Sequence, residues 1–151
     1  MYRRMSIIGA KPNGLGEYRS KEATMPKYML LLYADKADAS EQAERESQLP
    51  EMIRVADGMR DAGVLLGANR LHPVEAATTL RVRESEVQLL DGPFAITKEY
   101  LGGYFLLDCA DLDEALRHAA TLPLAAYGSV EVRPVMELGL PAPLDRGAPD
   151  Q

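Results

Sequence analysis

Four segments carry the apolar pattern of strands that belong inside a sheet. Residues 28–33 and 103–107 are almost continuous apolar runs, and their length suits strands buried on both faces better than helices. Residues 64–68 form a third run of the same kind. Residues 129–134 are predicted as the last strand. We expect these segments to build the main sheet.

Two segments show the 3.6-residue period of amphipathic helices. The first begins near Leu49. Pro50 disfavours helical geometry at Leu49, and so separates this helix from the charged, partly helical stretch 40–48. Its apolar face consists of Leu49, Met52, Ile53, Ala56 and Met59, and Gly63 is placed to end it. The second helix begins at a capping box of Asp111 and Glu114 and has an inner face of Leu112, Ala115, Leu116 and Ala119.

The segment between these two units predicts a hairpin. Residues 78–83 alternate polar and apolar as a half-exposed strand does, residues 84–86 form a turn, and residues 87–90 return as the partner strand. The order β-α-β, hairpin, β-α-β is typical of an α+β protein with a ferredoxin-like antiparallel sheet and both helices on one face. The other face then stays apolar and uncovered, so we expect a two-fold homodimer whose sheets meet face to face.

The 151 residues have the length of one domain, which we place at residues 25–136. Residues 1–24 show no clear period, and we expect a disordered extension or a mis-assigned start, because Met25 opens the first convincing strand. Residues 137–151 are rich in proline and aperiodic, which predicts a loose tail.

Charge and cysteine content exclude several classes of function. A formal net charge of −6 argues against direct nucleic-acid binding and against binding an anionic membrane surface. No apolar run approaches the roughly 20 residues that a membrane helix needs. Cys109 is the only cysteine, which excludes an internal disulfide and a cysteine-based metal cluster and fits a reducing cytoplasm. Neither a bound metal nor a cofactor is expected, since the two histidines lack a metal-binding spacing and no phosphate-binding loop is present.

The candidate chemistry is concentrated in residues 91–104. Asp91 is a candidate general acid or base on the turn that follows the hairpin; alternatively, its carboxylate accepts backbone N–H groups of that turn. His72, in the loop after the strand at 64–68, could form an acid–base pair with Asp91, whereas the alternative is a solvent-exposed loop histidine. His118 falls on the outer side of its helix and is given little weight.

Five further residues are candidates for ligand binding. If Pro93 opens a helical turn, Lys98 shares a side with Phe94 and could bind an anionic group, although Lys98 and Glu99 also suit a solvated surface pair. Gly102 and Gly103 permit a bulge or a close backbone approach, for a ligand or for packing. Phe94 and Tyr104, with Tyr100, would give a pocket apolar walls, or else pack in the core.

Asp91-Gly92-Pro93-Phe94, followed by Lys98-Glu99 and Gly102-Gly103-Tyr104, resembles the motif of the DGPF group of YCII-related proteins. The resemblance covers residues 25–136 and implies a dimeric α+β barrel. It also implies an accessory role beside extracytoplasmic-function sigma factors without contact to DNA. Other members carry a suspected catalytic histidine where this chain has Met52, with its acidic partner at Asp61. The resemblance therefore does not imply His–Asp catalysis here.

Two hypotheses follow from different classes of function. The first is a small-molecule site, for binding or for catalysis, in a cleft of the homodimer near Asp91, Lys98 and His72. The second is an interaction module that contacts a sigma factor, since an acidic protein suits a basic protein surface. The sequence leaves open whether the protein is an enzyme.

Overall fold

The computed structural model describes residues 25–140. The predictions for residues 1–24 and for most of the tail, 141–151, lie outside this part of the chain. The elements follow one another as β1 (Lys27–Asp35), α1 (Ala39–Ser47), α2 (Leu49–Asp61), β2 (Leu65–Arg70), β3 (Thr78–Arg83), β4 (Glu86–Asp91), β5 (Glu99–Asp108), α3 (Leu112–Ala120) and β6 (Ser129–Pro134). Short 3₁₀ turns occupy Val74–Ala76 and Pro123–Ala126.

Four of the strands form one antiparallel sheet in the order β2-β5-β1-β6. The core lies between one face of this sheet and the helices, and alternate residues of the central strands contribute to it. Its fully or nearly fully buried members include Leu30, Leu32, Phe105, Leu107, Met59 and Ala115. The predicted α+β fold with a ferredoxin-like antiparallel sheet is confirmed.

Local sequence signals explain where the helices begin and end. The carboxylate of Asp38 accepts the N–H groups of Ser40 and Glu41 at the start of α1. Gly63 follows α2 with a φ of +77°, as expected for a left-handed C-terminal cap. Asp111 caps α3 as predicted, but the reciprocal capping box is wrong, because the Glu114 carboxylate accepts the N–H of Ala110 instead.

Strands β3 and β4 form the predicted hairpin, which is a separate two-stranded sheet. Leu80 pairs with Leu89 and Val82 with Val87, so one face of the hairpin is apolar. The hairpin is more exposed than the half-exposed strand predicted at residues 78–83, since Leu80 is 59% and Leu89 69% exposed. Its apolar face contacts too little of the rest of the chain to be covered.

A β-bulge shapes the start of β5. Leu32 of β1 pairs with Gly103 and Tyr33 pairs with Leu101, which leaves Gly102 as the extra residue. A Cβ on Gly103 would lie 2.9 Å from the carbonyl oxygen of Asn69 in β2. The Gly-Gly pair thus serves both a bulge and a close backbone approach, as predicted.

The second face of the main sheet is the one that the helices leave open. Met29, Leu31 and Tyr33 alternate with the core residues of β1, and therefore point to this face. Met29 lies opposite Leu106 and Leu31 opposite Tyr104 on β5, so the apolar surface extends across the two central strands. We call this surface the open face.

Candidate functional site

The segment before the hairpin and the segment after it lie together beside the start of β5, because Thr78 pairs with Asp91 at the open end of the hairpin. The N–H of Leu71 donates to the carbonyl oxygen of Gly102 (2.9 Å), which places the loop after β2 against the bulge. The loop and the segment after β4 enclose a cleft of about 610 Å³, which we call the loop cleft. Its lining includes Tyr33, His72, Phe94, Thr97, Glu99 and Tyr100.

The structure brings two of the seven predicted site residues into this cleft. His72 and Phe94 both line it, from opposite segments. Asp91 does not line it: this residue ends β4, is exposed, and its carboxylate makes no hydrogen bond within residues 25–140. The turn is instead closed by backbone, since the N–H of Gly92 donates to Ala77 O (2.7 Å) and Thr79 Oγ1 donates to Gly92 O (2.8 Å).

The other four predicted residues are distributed over the surroundings. Lys98 is exposed and does not line the loop cleft. The helical turn expected from Pro93 is not formed, so Lys98 and Phe94 are not held on one side. Gly102 and Gly103 line a second cleft. Tyr104 points to the open face, where its hydroxyl accepts a hydrogen bond from Asn69 Nδ2 (3.0 Å).

Sequence reasoning missed Glu99, which is the carboxylate that shares the loop cleft with His72. Thr97 Oγ1 donates to the carbonyl oxygen of Glu99 (2.6 Å), and the Ser129 hydroxyl lies 3.3 Å from its carboxylate. These contacts hold the first residue of β5 in place. The signal in the sequence is weak, because Lys98 and Glu99 also have the pattern of a surface pair.

The second cleft lies on the other side of the sheet, under α1 and α2, and we call it the helix cleft. It has a volume of about 360 Å³ and an apolar floor that includes Leu32, Met52 and Phe105. A groove that shares Arg45, Arg70 and Gly102 with it continues to His72 and Tyr100. Met52 thus faces a cleft, while Asp61 is exposed and lies 3.7 Å from Arg60. This cleft contains no His–Asp pair.

Three potential metal ligands lie close together at the start of α3. The ligand atoms of Cys109, Glu114 and His118 are within 4.8 Å of one another. Cys109 is fully buried, and burial, followed by the nearby Glu114 carboxylate, raises the pKa of its thiol to about 11. His118 is half-buried beside Glu114, not on the outer side as expected. The thiol is protonated at neutral pH, so Cys109 packs in the hydrophobic core and does not act as a metal ligand.

None of the helices within residues 25–140 has both the length and the apolar character needed to span a lipid bilayer.

Comparison with known proteins identifies the family of this chain. The model of the YCII-related domain matches residues 26–139, from the start of β1 to beyond β6, and so includes both clefts. An uncharacterised protein of Rhizobium meliloti (strain 1021) is 42% identical to this chain over 112 residues, which cover 72% of this chain and 90% of that protein. The chain therefore belongs to the YCII-related domain family.

Proposed function

We propose that the protein binds a small molecule in the loop cleft. One observation carries this proposal: His72 and Phe94, which belong to different segments of the chain, line a single cleft. Concave sites with apolar walls and a few polar groups are typical of ligand binding. The loop cleft has this composition, since its lining combines three aromatic rings with an imidazole, a hydroxyl and a carboxylate.

The lining defines the class of ligand. Tyr33, Phe94 and Tyr100 offer aromatic surface to an apolar or planar body. His72 and Glu99 offer hydrogen bonds to a polar edge of the ligand. An imidazole and a carboxylate are residue types that serve as general acids and bases, so His72 and Glu99 replace Asp91 as the candidates for proton transfer.

A thermal-shift screen of planar and apolar metabolites tests the loop cleft. The Phe94→Ala and His72→Ala variants should lose the stabilisation that a hit gives to the wild type. Phe94 is 72% exposed, so its removal should leave the fold intact. Ile96→Ala is the matched control, because Ile96 lies in the same segment, is 94% exposed and does not line the cleft. Equal stabilisation of all four proteins by every hit would contradict the proposal.

We further propose that the working form is a homodimer joined through the open face. The support is the apolar surface formed by Met29, Leu31 and Leu106. Tyr33 and Leu101 point to the same face and also line the loop cleft. A second copy on the open face would therefore add a wall to the cleft.

An accessory role beside an extracytoplasmic-function sigma factor, and membership of the DGPF group, stay predictions from the motif at residues 91–104. A pull-down from a native lysate tests the first. Recovery of a sigma factor would support it, and recovery of the protein alone would count against it.

A further inference from the structure

We propose that the helix cleft is a second binding site, for a small organic carboxylate with an apolar tail. The loop cleft lies at the open-face side of the sheet, whereas the helix cleft is lined by residues that point towards the helices, such as Leu32 and Phe105. The proposal therefore does not depend on a ligand in the loop cleft.

The charges around the helix cleft favour an anion. Eighteen residues line this cleft, and Arg45 and Arg70 are the only charged ones among them within the described chain. Their acidic partners are placed outside the lining: Asp35 lies 2.7 Å from Arg45, and Glu46 lies 2.6 Å from Arg70. The guanidinium groups thus border the cleft, while Glu46 does not, and Asp35 lines only the groove that continues from it.

The two arginines differ in how firmly they are held. Arg45 is mostly buried, donates to both the carbonyl and the carboxylate of Asp35, and lies 4.6 Å from the centre of the Tyr127 ring. Arg70 is 59% exposed and has one exposed partner. Exposed ion pairs contribute little, so a ligand carboxylate can replace Glu46 on Arg70 at small cost. Arg45 then provides a fixed positive charge beside it.

Gln48 adds a polar side chain to the lining of the helix cleft. Its Oε1 atom is buried without a hydrogen-bond partner within residues 25–140. No water-sized group reaches this buried atom, so it does not mark a ligand position. The NH₂ group of the same amide is the donor that a carboxylate in the cleft can use.

The rest of the cleft suits an apolar tail. Met52, Ala56 and Leu124 pack against the core and also line the cleft, together with Phe105. An alkyl or aryl tail placed there would be removed from water, and it would contact side chains that are already ordered. The size of the cleft limits the ligand to that of a metabolite.

Octanoate is the probe for this site, and 1-octanol is its uncharged counterpart. Both are titrated into the full-length protein and followed by ¹H–¹⁵N NMR and calorimetry. We expect octanoate to shift the amides of residues 48–56 and 102–105 and to bind about fivefold more tightly than 1-octanol, since an ion pair with a partly exposed arginine contributes no more than that. Arg70→Gln should remove this difference and leave the binding of 1-octanol unchanged.

Arg54→Gln is the control for the loss of charge, because Arg54 is exposed on α2, pairs with Glu51 and does not line the cleft. This variant should bind octanoate like the wild type. Equal affinity for octanoate and 1-octanol, shifts elsewhere in the protein, no binding of either probe, or an unchanged affinity in Arg70→Gln would each overturn the proposal. A ligand found only in the loop cleft would support the proposed function and reject this inference.

Discussion

At Gly103 the backbones of β5 and β2 approach so closely that a side chain does not fit. A Cβ at this position would lie 2.9 Å from Asn69 O, which belongs to a backbone that cannot move independently of the sheet. The neighbouring Gly102 differs, since a Cβ there would lie 3.9 Å from Leu32 O. The two glycines therefore have separate roles, one in packing and one in the bulge.

Gly103→Ala is expected to lower the free energy of unfolding by about 1–3 kcal/mol, because the strands must separate to admit the methyl group. Gly102→Ala should change it by less than about 1 kcal/mol, since its contact is an ordinary one. Urea denaturation of both variants measures the difference. Equal stability of the two variants would contradict the close approach of β2 and β5.

Cys109 shows how burial changes the chemistry of a thiol. The raised pKa, about 11, means that the folded protein holds the proton more tightly than the unfolded chain, whose thiol ionises near 9. The protonated thiol therefore stabilises the fold fully below about pH 9, and this contribution is lost as the pH rises through 11.

The same group predicts slow chemical labelling. At pH 8 the thiol of the folded protein should react with a disulfide reagent such as DTNB roughly a hundredfold more slowly than the thiol of the chain unfolded in guanidinium, because it is buried and protonated. The labelling rate is measured from the absorbance of the coloured thiolate that the reagent releases. Labelling of the folded protein at the rate of the unfolded chain would show that Cys109 is accessible.

Among the elements, α1 depends most on its own sequence. None of its residues is buried, so packing does little to hold it. Its start is secured by Asp38, whose carboxylate accepts two N–H groups, while Glu41 Oε2 accepts the N–H of Asp38 (3.1 Å). This reciprocal capping box stabilises the helix that forms one wall of the helix cleft.

Asp38→Ala should weaken α1 by about 1 kcal/mol, which corresponds to about fivefold faster amide exchange in the last turn of the helix. Global unfolding in urea should change little, because α1 opens locally. Ser40→Ala is the control, since the Ser40 side chain makes no hydrogen bond within residues 25–140. Unchanged exchange in Asp38→Ala would mean that other contacts hold α1.

The sequence predicted the limits of the helices and strands better than their arrangement in space. The limits of β3 and β6 agree with the predictions because unbroken local patterns define them. Strand β5 begins four residues earlier than the predicted segment 103–107, because its first residues lie before the Gly-Gly pair and outside the apolar run on which that prediction depends. Glu99 was missed because Lys98 and Glu99 have the pattern of a surface pair.

The candidate site was predictable only in part, since its geometry depends on contacts between distant segments. His72 reaches the segment of Phe94 because β2 pairs with β5 and Leu71 bonds to Gly102. No local pattern contains that information. The motif at residues 91–104 therefore suggested a single site, whereas its residues are distributed over two clefts, the hairpin end and the open face.

For the whole molecule, the distribution of apolar surface is the feature that favours association with a second copy. The helices cover one face of the sheet, while the open face retains Met29, Leu31, Tyr33 and Leu106. A surface of this kind in one chain favours association with a second copy, which buries the same residues on both sides of a two-fold axis. The loop cleft would then lie at the edge of the interface.

The most direct test of this account is the mass of the protein in solution, measured by light scattering at micromolar concentration. We expect twice the mass of one chain for the wild type, and a monomer for Leu31→Glu, which places a charge at the centre of the open face. Ile53→Glu, at an apolar residue of α2 that is 53% exposed and borders the helix cleft away from the open face, should remain a dimer. A wild-type protein that is a stable monomer would contradict the account.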